Sequence, residues 1–183
     1  HAQHAGSAGL PALNVEGRIV DENDQQVPIG VVGQIVHRSP HATLGYYKDP
    51  EKTALAFSGG WLHSGDLGYL SSSGHLYVVD RIKDMIKTGG ENVASREGEE
   101  VLYTCPGVLE AAVFGVDHPH WIEMIVAVVV PISGSDLDPD HVIAHCRERL
   151  ASFKTPKHVV IADSLPKNAS GKILKRDLRT TYS

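Results

Sequence analysis

Three groups of residues in this chain combine types and spacings that can do chemistry. Near the C-terminus, Leu165-Pro166-Lys167-Asn168-Ala169-Ser170-Gly171-Lys172-Ile173-Leu174-Lys175-Arg176 sets Lys172 beside a Ser-Gly turn. A lysine on such a turn can be held out as a point charge for a carboxylate or a phosphate. A solvated basic face is the plainer account of the same string. Upstream, Trp61-Leu62-His63-Ser64-Gly65-Asp66-Leu67-Gly68 sets Asp66 among glycines. The two oxygens of its carboxylate match the hydroxyls of a cis-diol, so Asp66 can grip a ribose in bidentate fashion; an Asx-turn ending a hairpin is the alternative. Arg81, at the end of an apolar strand, offers several donors in a fixed fork for ribose or phosphate oxygens. An ion pair with Asp80 or Asp84 would use it otherwise. Gly89-Gly90-Glu91-Asn92 has the composition of a tight turn that needs positive φ.

In this order and spacing, the segments 61–68, 80–93 and 165–176 resemble the C-terminal third of the adenylate-forming superfamily of acyl- and aryl-CoA synthetases, luciferases and peptide-synthetase adenylation domains. The resemblance runs from about Gly6 to the end of the chain. It implies that Asp66 binds the ribose of ATP or AMP and that Arg81 helps to hold the nucleotide. Lys83 stands where the family has a lysine or aspartate pivot, about which a small C-terminal domain rotates between two half-reactions. Gly89, Gly90 and Glu91 belong to the loop that lines the passage for the pantetheine arm of CoA. Lys172 matches the lysine that bridges the carboxylate and the α-phosphate in the first step, while Lys167 and Lys175 read as solvated or near the CoA phosphates. The strings 80–92 and 165–179 are most similar to fatty-acid and aromatic-acid CoA ligases, which favours that branch.

The family's Ser/Thr/Gly-rich phosphate loop and the acidic ligand for Mg²⁺ are not found in this sequence. By the family pattern both belong to a larger N-terminal portion preceding His1, and the acyl pocket goes with it. The expected partners are therefore a carboxylic acid, ATP, CoA and that N-terminal domain, with a homodimer allowed. The chain alone is expected to be inactive. A rival of another class is a non-catalytic module that binds a nucleotide, CoA or a partner protein. Two local departures from the family concern structure. Gly98 falls where an apolar helix residue usually faces the sheet, at a helix-propensity cost of about 1 kcal/mol, which predicts a frayed helix. Ala94-Ser95 replaces an aromatic-proline pair, with Ser95 as the expected N-cap.

The elements that must position these residues fall into two textures. Up to residue 80 the pattern is short strands and turns, at 15–20, 33–37 and 75–79, consistent with a small antiparallel β-barrel-like unit. One helix interrupts it at 49–57, with Asp49 as cap and Pro50 at the first helical position. From residue 81 helices and strands alternate, which predicts an α+β unit built on a three-stranded sheet. Its elements are a helix at 95–104, strands at 109–116 and 125–131, a helix capped by Asp138 with Val142, Ile143, Cys146 and Leu150 on one face, a strand at 158–162 and a short helix at 173–179. The predicted domains are thus 1–80 and 81–183, and the boundary falls on the residues that the resemblance names as pivot.

At 183 residues and 42% apolar composition the chain can bury an ordinary core. Its formal net charge of -5 supplies no basic field for nucleic acid, so any anion site must be local. No apolar run approaches the roughly 20 residues of a membrane span, and His1-Ala2-Gln3-His4 lacks the order of a secretion signal; a cytoplasmic protein is expected. Cys105 and Cys146 have no metal-ligand spacing and read as free buried thiols. His118-Pro119-His120 reads as a turn, and no histidine pair has zinc-site spacing.

Overall fold

The short strands of the first half assemble because each turn between them returns the chain beside its predecessor. In the computed structural model, which describes residues 4–183, β1 (Glu16–Val20), β2 (Gly33–Arg38), β3 (Leu62–Leu70) and β4 (Leu76–Arg81) form one antiparallel sheet in the order β1-β2-β3-β4. His1, Ala2 and Gln3, part of the stretch read as no secretion signal, lie outside the described residues. The sheet is open. Four strands are too few to wrap around an interior of side chains, which takes about eight, so the barrel-like expectation resolves into a single antiparallel layer. β3 was not foreseen, because its glycines read as a turn. They serve a strand irregularity instead: the β3–β4 register shifts between Leu67 and Gly68, and a Cβ on Gly68 would sit 2.5 Å from the Tyr77 carbonyl oxygen. The helix α1 (Pro50–Ala56) starts where the sequence marks it, with Asp49 Oδ1 accepting from the Lys52 amide at 2.9 Å.

The chain divides into two compact units between Lys83 and Asp84. The second comprises β5 (Ile86–Thr88), β6 (Glu91–Val93), α2 (Ser95–Tyr103), β7 (Val108–His118), β8 (Ile122–Pro131), α3 (Pro139–Arg147), β9 (His158–Ile161) and α4 (Lys175–Tyr182). β7, β8 and β9 are the three foreseen strands; β8 pairs antiparallel with β7 and parallel with β9. The sheet has two further strands, because the β5–β6 hairpin joins β8 through Thr88 and Ile122. Strands of three residues are too short to show a period of two, and only the turn between them was legible.

β8 lies in the centre of this sheet, and its apolar run is buried on both faces. On one face Ala111, Val113, Ile125, Ala127 and Val129 pack with Leu102 of α2 and with Val142 and Cys146 of α3. On the other, Ala112, Phe114, Val126 and Val128 pack with Leu165 and with Leu178 of α4. Each fully buried Val, Leu or Phe contributes about 1.5–3 kcal/mol of transfer free energy, so α4 is held by its apolar face despite its charged sequence. α3 is capped as expected, Asp138 Oδ2 accepting from the His141 amide at 3.0 Å. Cys105 and Cys146 are free and buried. Burial pushes the Cys146 thiol up to about 11 and raises Cys105 as well, so neither supplies a thiolate near neutral pH.

At α2 the structure corrects two expectations. Ser95 is not the N-cap: Ala94 holds that position without a side-chain bond, and Ser95 is buried in the first turn, its Oγ accepting from Lys175 Nζ at 2.6 Å. Nor is the helix frayed at Gly98, which is buried against β7. A Cβ there would lie 3.2 Å from Val113 Cγ2, so glycine sets the distance between helix and sheet. Gly98→Leu, the apolar residue type that the resemblance would place here, overpacks the contact and destabilises this unit by about 1–3 kcal/mol, measurable as a lower midpoint of urea unfolding.

Candidate functional site

The β3–β4 register sets Asp66 opposite Arg81. Across that pair Arg81 Nε donates to Asp66 Oδ1 at 3.2 Å, with side-chain exposures of 39% and 35%. The two residues read separately from the sequence as ribose or phosphate contacts are thus one ion pair. Asp66 does not end a hairpin as an Asx-turn; it lies inside β3, and its own amide donates to Ser64 Oγ at 3.0 Å. Ser64 Oγ donates in turn to the Ile35 carbonyl at 2.9 Å, fixing the strand on β2, and Gly65 takes a φ of +75°. Arg81 pairs with neither alternative partner; instead the buried Asp80 carboxylate accepts the Arg81 backbone amide at 2.7 Å. The guanidinium neutralises the carboxylate without filling it, since each carboxylate oxygen can accept more than one bond. Half exposed, the pair offers donors and acceptors side by side, the combination that a diol beside a phosphate requires.

Lys83 is exposed in a single 3₁₀ turn, Ile82–Asp84, that follows β4 at the division between the units. Beyond it, Gly89 and Gly90 make the turn of the β5–β6 hairpin with φ of +58° and +85°. A Cβ on either would meet nothing within 4 Å, so within this unit the glycines are required by backbone conformation and not by close packing. The turn is tied down by the Gly89 amide, which donates to the Trp121 carbonyl at 3.0 Å. Glu91 is exposed just past it, at the start of β6.

Lys172 sits in a closed loop at the base of α4. An isolated antiparallel bridge pairs Lys167 with Ile173, and the Leu174 amide donates to the Pro166 carbonyl at 2.8 Å. Gly171 takes a φ of +80° between them. The five basic side chains from Lys167 onward are not equivalent. Lys167 pairs with Glu110, Lys175 with Glu99 at 2.7 Å, Arg176 with Asp177 at 3.3 Å and Arg179 with Asp84 at 3.2 Å. Lys172 is exposed and, among the described residues, has no carboxylate partner. Lys167 and Lys175 are both tethers that fasten the ends of this loop to β7 and α2: Lys167 is exposed, as expected, while Lys175 exposes only 15% of its side chain and is not the solvated lysine the sequence suggested. Sequence reasoning also missed Asn168, whose side chain closes the loop, although an Asn two residues before a Ser-Gly pair is a recognisable turn signal.

Among the described residues no three His, Cys, Asp or Glu side chains converge to hold a metal ion, and no helix is long and apolar enough to cross a membrane.

Residues 97–172 match the family described as the AMP-binding enzyme C-terminal domain. A feruloyl-CoA synthase from Amycolatopsis sp is 45% identical over 181 residues, covering 99% of this chain and 37% of that protein. The structure of o-succinylbenzoate CoA synthetase (MenE) from Bacillus subtilis with its acyl-adenylate intermediate has a TM-score of 0.91 at 35% identity, covering 97% of this chain and 36% of that one. The amide bond synthetase McbA from Marinactinospora thermotolerans gives a TM-score of 0.88 at 40% identity, over 97% of this chain and 37% of that one. The chain spans little more than a third of the length of the relatives it matches. Residues 97–172 thus match the C-terminal domain of AMP-binding enzymes, and over nearly its whole length the chain is similar to the C-terminal part of acyl- and aryl-CoA ligases and of solved adenylate-forming enzymes.

Proposed function

We propose that the protein containing this chain is an AMP-forming acid–thiol ligase, which converts a carboxylic acid and ATP to an acyl-adenylate and then to a CoA thioester. The observation that carries this reading is Lys172: an ammonium on a hydrogen-bonded loop, without an acidic partner among the described residues, while the other four basic side chains of its segment are paired. An unpaired cation held this way is matched to an anion arriving from elsewhere. In the first step carboxylate and α-phosphate, both negative, must approach, and an ammonium bridging them offsets their repulsion as charge redistributes. Asp66 and Arg81 hold the ribose end of ATP and later AMP. Gly89, Gly90 and Glu91 line the route of the CoA pantetheine, and the small side-chain volume of that turn leaves the backbone accessible.

In this reading residues up to 80 are the β-rich end of a larger N-terminal domain, 81–183 form a mobile C-terminal domain, and Lys83 is the pivot between the two half-reactions. Mg²⁺ would accompany ATP on ligands outside this chain, and the chain alone would not adenylate. The protein would be cytoplasmic. Lys83→Pro, which removes a backbone amide and fixes φ at the pivot, slows thioester formation more than adenylation in the full-length protein; an unchanged ratio of the two rates would count against the pivot.

Pyrophosphate exchange by the full-length protein across a panel of acids, hydroxycinnamic acids included, tests the function itself. Exchange with one class of acid supports a ligase, and none with any acid returns the assignment to a binding module. The likeness to an amide bond synthetase supports one second reading, in which the acyl-adenylate passes to an amine. Product analysis with CoA and with amines separates the two.

A further inference from the structure

Both backbone groups of Lys172 are bonded to the same residue. The Lys172 amide donates to Asn168 Oδ1 at 2.9 Å, and its carbonyl accepts from the Asn168 amide at 3.0 Å. The same Asn168 Oδ1 also accepts from the Ser170 amide at 3.1 Å and from Ser170 Oγ at 2.8 Å. The Gly171 amide meanwhile donates to the Asn168 carbonyl at 2.9 Å. One side-chain oxygen therefore gathers three donors from the tip of the loop, and one residue fixes the peptide planes on either side of the Lys172 Cα. The first two bonds to a chain atom's flanking planes set the direction of its Cα–Cβ bond, so the axis along which the ammonium is presented is decided at Asn168.

Nothing else in the loop can do this. Gly171, with φ of +80°, permits the turn but has many conformations of similar energy. The Lys167 and Leu174 contacts hold the ends of the loop, not its tip. A loop whose tip is exposed would otherwise sample several directions for Lys172 on the nanosecond scale, and each misdirected one leaves the ammonium away from the reacting oxygens.

We propose that Asn168 is a positioning residue for the adenylation step: its carboxamide oxygen pre-aims Lys172, without itself touching substrate. The inference rests on the role proposed above for Lys172. Because positioning acts on the transition state and not on the strength of ATP binding, it has a kinetic signature. A misplacement of about 1 Å can cost up to about 10²-fold.

The test uses the full-length protein with Asn168→Ala, Asn168→Asp and Lys172→Ala, each assayed for adenylation by pyrophosphate exchange and for thioester formation from supplied acyl-adenylate, with thermal unfolding measured alongside. Asn168→Ala is expected to lower the kcat of adenylation by about 10-fold or more with the KM for ATP unchanged, to spare the thioester step, and to leave the melting temperature in place. Asn168→Asp keeps an oxygen that accepts the same three donors and should recover most of the rate. The inference is overturned if Lys172→Ala loses adenylation while Asn168→Ala keeps it, or if Asn168→Asp is as slow as Asn168→Ala. If Lys172→Ala itself adenylates normally, the reading of Lys172 falls and takes this one with it. A loss in Asn168→Ala shared equally by both half-reactions, or tracking a lowered melting temperature, also overturns it, since that is the mark of a merely structural loop.

Discussion

Lys172→Ala in the full-length protein is expected to lower acyl-adenylate formation by on the order of 10²-fold or more, while acyl-adenylate supplied from outside still goes on to thioester. The size follows from what the ammonium is proposed to do. Carboxylate and phosphate bring like charges together, and a preorganised cation at that point is worth several kcal/mol because no solvent need reorganise as charge moves. Lys172→Arg is no conservative rescue, since a planar fork cannot occupy the place of a compact point charge on this loop. The split between half-reactions carries the information. It requires that Lys172 act only in the arrangement used for the first step, so equal loss of both rates would remove its assignment.

Glu99→Ala is expected to destabilise the second unit strongly, although Glu99 touches no proposed substrate. Glu99 projects from α2 onto the free edge of β7, where its Oε1 accepts the Val113 amide at 2.9 Å and Lys175 Nζ at 2.7 Å. Lys175 and Glu99 expose only 15% and 19% of their side chains, so solvent screens this pair far less than the ion pairs on the surface. Removing the carboxylate takes the counter-charge from a largely buried ammonium, which keeps only the neutral Ser95 Oγ as acceptor, and leaves an edge-strand N–H without its acceptor, at a cost of about 3 kcal/mol or more. Glu99→Gln keeps an acceptor for the Val113 amide and should lose about half as much. Urea unfolding decides it: a change below about 0.5 kcal/mol in Glu99→Ala would show that water replaces the network. A loss of that size would also loosen the base of α4, because Lys175 begins that helix, one turn before Leu178 packs into the core.

How much of this was legible differs from residue to residue. The helix at 49–57 and the one begun by Asp138 were readable because capping and Pro at the first position are local rules, satisfied by atoms within four residues. The run in β8 was readable because burial on both faces leaves no polar alternation. β3 was missed because Gly65 and Gly68 serve a positive φ and a close approach to Tyr77, needs that only a neighbouring strand creates. Gly98 was misjudged for a related reason. Propensity assigns glycine a penalty within a helix, but the nearness of Val113 turns the missing Cβ into a fit. Ser95 looked like a cap until Lys175, eighty residues away, was seen to donate to it.

By itself the sequence determined the chemical types at the candidate site and their order: Asp66, Arg81, Lys83, the Gly89-Gly90 turn and Lys172. Such choices rest on what a carboxylate, a guanidinium, an ammonium or an absent Cβ can do, and that is a property of each residue alone. Only the tertiary structure decided which of these groups satisfy one another. Strand register made Asp66 and Arg81 a pair, and folding gave Lys167 and Lys175 to Glu110 and Glu99 while leaving Lys172 without a carboxylate partner among the described residues. Charge pairing at 3 Å depends on distances across tens of residues of chain, and those distances do not exist until strands and helices have packed.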